Sequence, residues 1–138
     1  MKKQLCIALC AVISSFTFGS IAAAVENPRP FFSPQQIRFH QKNVAGKTMV
    51  SSGYDKGSMT FNSNGVLTCT NYPSNITCKK WEVLSDGTLR REFTDNHTGT
   101  TVEIIAVWKL LSQSDKTLQV EQTSNNSNGV TNITVTIL

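Results

Sequence analysis

From Asn43 onward the sequence alternates between short runs rich in Val, Ile, Thr, Phe and Trp and compact clusters of Asn, Gly, Ser and Asp. This punctuation is the strongest constraint on the fold. Asn62-Ser63-Asn64-Gly65 separates Phe61 from Val66, and Ser85-Asp86-Gly87 separates Leu84 from Thr88. Ser112 to Lys116 and Asn125 to Gly129 interrupt the later runs in the same way. Gly and Asn reach the positive φ that tight turns need, so consecutive runs are expected to pair as antiparallel hairpins. The punctuation predicts eight strands: residues 45–51, 57–61, 65–71, 75–84, 88–94, 100–111, 117–124 and 129–137.

Within the runs, side chains alternate with period two. Met59 and Phe61 share a face, as do Leu89, Arg91 and Phe93. Val102, Ile104, Ala106, Trp108 and Leu110 make the longest apolar row. Leu118 and Val120 alternate with Gln119 and Glu121, and Ile133, Val135 and Ile137 alternate with Asn132, Thr134 and Thr136. One apolar and one polar face per strand is what an antiparallel sheet closed around a core requires. The expected fold is all-β, an eight-stranded antiparallel up-and-down barrel, with closure removing exposed edges. An open two-sheet sandwich is the alternative, disfavoured by the short hairpins. Trp81 to Leu89 and Trp108 to Leu118 repeat one theme, Trp, a hydrophobic pair, Ser, a turn and Thr-Leu, as a meander of similar hairpins would.

The 138 residues do not all belong to this pattern. Lys2 and Lys3 precede an apolar stretch from Leu5 to Ile21, followed by Ala22-Ala23-Ala24. This organisation reads as a cleaved bacterial secretory signal over residues 1–24. Ser14, Ser15 and Thr17 argue against a membrane anchor, and Ile7-Ala8-Leu9-Cys10 lacks the small residue that lipidation of Cys10 requires. The expected destination is the periplasm or beyond. In a bacterial host the sequons at Asn75, Asn96, Asn125 and Asn132 are idle.

Cleavage changes the arithmetic. Without Lys2 and Lys3, the net charge of +4 falls to +2, with 11 basic and 9 acidic residues. That balance offers no electrostatic footprint for nucleic acid. The pairs Lys79-Lys80 and Arg90-Arg91 read as solvated strand positions. No apolar run in the body of the chain is long enough to span a membrane. Cys69 and Cys78 remain, and an even pair in an exported chain reads as one disulfide tying neighbouring strands across the Asn71-Tyr72-Pro73-Ser74 turn.

Residues 25–43 precede the barrel, which is expected over 44–138. Residues 25–33 carry two prolines and no periodicity, an extended lead. Ser33-Pro34 resembles an N-cap followed by proline at the first helical position, which predicts a short helix over 34–42.

The segments Val44-Ala45-Gly46-Lys47-Thr48, Met59 to Leu67, Trp81 to Leu89 and Trp108 to Val120 together resemble bacterial lipocalin-like (calycin-type) domains. The resemblance covers residues 44–138 and implies a small-ligand-binding barrel. The chain departs from that pattern at the first strand, where Gly46-Lys47-Thr48 stands in place of a Trp that plugs the barrel end. The helix over 34–42 is placed to cover that end instead.

Catalytic and cofactor motifs do not emerge. No GxSxG nucleophile elbow or Gly-rich phosphate loop occurs, and the carboxylates are dispersed among turns. His40 and His97 stand apart, and two thiols with two distant histidines make no metal-ligand cluster. The chain is therefore expected to be a binding protein, not an enzyme, with no metal and no cofactor. Its expected partner is a small hydrophobic ligand within a barrel lined by Met59, Phe61, Trp81, Arg91, Phe93, Trp108, Leu118 and Ile133. The competing expectation is that these side chains fill the interior. Arg91 interrupts its apolar row. Facing inward, it either anchors a ligand carboxylate or pairs with a buried acid such as Glu103; one residue of register slip would make it a surface charge. An envelope protein is the second class of partner, in the manner of a protease or lysozyme inhibitor. Residues 25–33 would then serve as an arm and Ser51 to Tyr54 as a loop.

Overall fold

A computed structural model describes residues 37–138, with Asp55 described by its backbone alone. The signal-like segment and the 25–33 lead lie outside the described residues. The short helix α1 spans Gln41–Val44. Eight strands follow: β1 Thr48–Ser51, β2 Tyr54–Phe61, β3 Leu67–Thr70, β4 Ile76–Val83, β5 Leu89–His97, β6 Thr100–Ser114, β7 Thr117–Ser124 and β8 Thr131–Ile137. They form one antiparallel sheet in the order β3-β2-β1-β8-β7-β6-β5-β4, curled into a nearly closed barrel. Each expected strand is present, and the sandwich alternative does not apply.

The seam does not fall between the first and last strands. β1 and β8 pair directly, Met49 opposite Ile137 and Ser51 opposite Val135. The gap lies inside the hairpin of β3 and β4, where the isolated bridge between Val66 and Lys80 is the one strand pairing. The Trp81 N–H reaches the Gly65 carbonyl at 2.9 Å beside it. The Cys69–Cys78 disulfide holds the two strands, with Cα atoms 5.8 Å apart. A register shift between Cys78 and Lys80 bends β4 at this point. Bulges increase local twist and spoil regular pairing. The hairpin is therefore fastened by a covalent bond where hydrogen bonds are missing.

The inward rows follow the sequence alternation. Met49, Met59, Phe61, Leu67, Trp81, Leu89, Trp108, Val120 and Val135 are all nearly inaccessible. The outer faces of β4 to β7 carry charge pairs, Lys80 and Arg90 with Glu92, Arg90 with Glu82, and Lys109 with Glu121. These pairs satisfy a wet surface and add little stability individually.

The expected helix over 34–42 is corrected. Its first residues, 34–36, lie outside the described residues, residues 37–40 are not helical, and the helix occupies Gln41–Val44. The cause is tertiary. The Phe39 N–H bonds the Gly87 carbonyl at 3.0 Å, and Phe39 is buried. Docking on the β4–β5 turn fixes an extended backbone where local capping favoured a helix. Arg38 lies so close to Gly87 (φ +85) that a Cβ there would stand 2.5 Å from the Arg38 Cβ.

Candidate functional site

The barrel has two different ends. At one end Phe39 and Val44 cover the interior, leaving a void of about 40 Å3 bordered by Met49, Leu110, Leu118 and Ile137. At the other end the turns β1–β2, β3–β4 and β7–β8 surround an open cavity of about 230 Å3. Ser51, Gly53, Tyr54, Tyr72, Ser124, Asn126 and Ser127 form its rim, and Phe93, Ile104, Ala106 and Ile133 its apolar walls. Arg91 and Gln122 also line it.

Arg91 is placed here by strand parity. It lies between Leu89 and Phe93 on the inward row of β5, opposite Trp81 on β4 and Ala106 on β6. Ala106 is the smallest member of its row, so the guanidinium passes across β6 toward β7. There its Nη2 donates to Gln122 Oε1 at 2.9 Å. The Trp108 Nε1 donates to the same oxygen at 2.8 Å. Two donors on one oxygen fix the Gln122 amide, since its carbonyl must face them.

The guanidinium stacks over the Trp108 ring at 3.7 Å from its centroid, with the Phe93 ring 5.6 Å away. A cation over an aromatic face recovers part of the electrostatic energy lost on burial. Nη1 donates weakly to Met59 Sδ at 3.6 Å, and Nε has no hydrogen-bond partner. Arg91 retains only 3% of its exposure, and among the described residues no carboxylate forms an ion pair with it. Burial pushes it down to about 9, which leaves it cationic at neutral pH. The expectation that Arg90 and Arg91 are both solvated is thus corrected for Arg91. The suggested partner Glu103 lies exposed on the opposite face of β6.

Tyr72 reaches the mouth because of two backbone features. Asn71 has a positive φ of 59°, which turns the chain inward after β3. Gly57 on β2 leaves the space that Tyr72 occupies; a Cβ there would stand 2.7 Å from Tyr72 Cδ2. Tyr72 packs against Tyr54 with ring centroids 4.7 Å apart, and Tyr54 Oη donates to the Asn71 carbonyl at 3.2 Å. Burial raises the Tyr72 hydroxyl above its ordinary value, and the positive charge of Arg91 opposes that shift.

Of the residues expected to line a ligand cavity, Arg91, Phe93 and Ile133 do so. Met59, Phe61, Trp81 and Trp108 do not: they are packed in the interior below the mouth. The Phe61 ring meets the Trp81 ring edge-on at 5.6 Å, and Trp81 Nε1 donates to the Asn62 carbonyl. Leu118 belongs to the covered end. Ser51 to Tyr54 form part of the mouth's rim. Gln122 and Tyr72 were absent from the sequence expectation. Extending the Leu118-Val120 row by one step reaches Gln122, so its signal was present; Tyr72 sits in a turn and carries no periodic signal.

A larger but shallower hollow of about 430 Å3 lies over the β3–β4 seam, lined by Val66, Thr68, Asn71, Pro73, Thr77 and the disulfide among others. No charged side chain lines it. The mouth is the better site of the two because it combines concavity, apolar walls and a buried charge. Among the described residues no cluster of His, Cys, Asp and Glu suits a metal ion. The chain is, by its geometry, an up-and-down barrel with one plugged end and one cationic mouth. Comparison with known protein families, curated proteins and solved structures finds no match.

Proposed function

We propose that the chain is an exported small-molecule-binding barrel that receives its ligand at the mouth. The cavity of about 230 Å3 above Arg91 carries this reading, because it is concave and combines apolar walls with fixed polar groups, as ligand pockets do. The ligand is small and has a largely apolar body, to suit Phe93, Ile104, Ala106 and Ile133. The packed interior below leaves the mouth as the place for it. The signal-like leader and the Cys69–Cys78 disulfide support export to an oxidising compartment.

The test is a mouth-filling variant. Small aromatic and aliphatic probes are expected to change Trp108 fluorescence saturably at one site per chain. Ile104→Trp is expected to abolish this while near-UV circular dichroism stays folded. Binding that survives Ile104→Trp unchanged would contradict the assignment. Capture of an envelope hydrolase by a protein that binds no probe would favour the inhibitor class instead.

A further inference from the structure

The mouth holds a feature that a purely apolar ligand does not need. Arg91 is a buried cation stacked on Trp108, with Gln122 Oε1 and Met59 Sδ as its hydrogen-bond acceptors among the described residues. A guanidinium has five N–H donors, so most of its capacity is unused. Removing such a group from water without an opposite charge costs several kcal/mol. An apolar side chain of similar volume would avoid that cost and fill the same space.

Gln122 strengthens the case. Its carbonyl is committed to Trp108 and Arg91, so its amide N–H groups face away from both. Gln122 and Arg91 both line the cavity. A fixed amide donor beside a cation suits an anion better than a neutral group. We propose that the mouth takes small organic carboxylates, held by the guanidinium of Arg91 and the amide of Gln122. The planar carboxylate matches the planar guanidinium edge, and a single cation suits a single negative charge better than a dianionic phosphate. The apolar walls then take a short hydrocarbon or aromatic body. This inference rests on the mouth being the binding site, and its test separates the two.

The experiment compares matched probes by calorimetry on the disulfide-bonded protein: phenylacetate against phenylacetamide, and hexanoate against hexanamide. The expected preference for the carboxylate is about 30-fold, within the range of charge-assisted hydrogen bonds. Arg91→Met is expected to remove the preference. Gln122→Glu keeps the acceptor for Trp108 and places a carboxylate beside Arg91; it is expected to remove the preference by neutralising the site from within. Equal affinity of acid and amide for the wild-type protein overturns the carboxylate inference and leaves the mouth reading standing. A preference that persists in Arg91→Met overturns it as well. If no probe binds, both readings fail.

Discussion

At the α1 end of the barrel, Phe39 and Val44 complete an apolar core that already contains Phe61, Trp81 and Trp108. At the mouth the same alternating strands present Arg91, Gln122, Ser51 and Ser124 around an open cavity. The strand geometry is common to both ends. What differs is the last inward side chain of each row and the turn that crosses above it. A barrel of eight strands is only wide enough for packed side chains or one small ligand. This chain divides that space between a packed lower part and an open upper part. The packed core and the open cavity thus occupy different layers of one sheet.

The division predicts unequal costs of truncation. Trp108→Ala removes the ring that supports both the core and Arg91, and is expected to cost about 3–5 kcal/mol by urea denaturation. A loss below about 1 kcal/mol would show that the lower barrel is not the stabilising layer. Cys69→Ser opens the seam where regular hydrogen bonds are missing, with nine residues of sequence separation between the cysteines. The loop-entropy relation puts the expected loss at about 2.7 kcal/mol, measured under oxidising conditions. Unchanged stability would mean that the Val66–Lys80 bridge holds the seam by itself. Ile104→Ala, on the cavity wall, is expected to cost about 1 kcal/mol or less in a chemical melt, since part of its side chain already faces open space. A cost equal to that of Trp108→Ala would erase the distinction between the layers.

Much of this arrangement was legible in advance because it is local. Asn62 to Gly65 and Ser85 to Gly87 marked hairpins through backbone preferences that act over a few residues. The Leu89-Arg91-Phe93 and Ile104-Ala106-Trp108 rows followed from the two-residue period of a strand. Cys69 and Cys78 are the two cysteines outside the signal-like segment, which made them the expected pair. The lining of the cavity was less legible. Periodicity shows which residues share a face but not how far along the barrel each one lies, so Met59 and Phe61 are expected to line the cavity with Arg91 and Phe93, whereas Met59 lies beneath the Arg91 guanidinium and Phe61 packs in the core. Tyr72 reaches the mouth through the Asn71 turn and the missing side chain of Gly57, a contact between separate strands.

The sequence by itself determined the number of strands, their turns, their inward rows and the disulfide, since each depends on local conformation or on a unique pair of groups. The tertiary structure alone decided where the seam falls, that Phe39 and α1 plug one end, and that Arg91 is buried on Trp108 without an ion pair among the described residues. Those outcomes depend on strand stagger and on docking between distant segments. The physical reason is that closure of a twisted sheet sets the depth of every inward side chain collectively, and depth decides whether a residue packs in the core or opens onto the cavity.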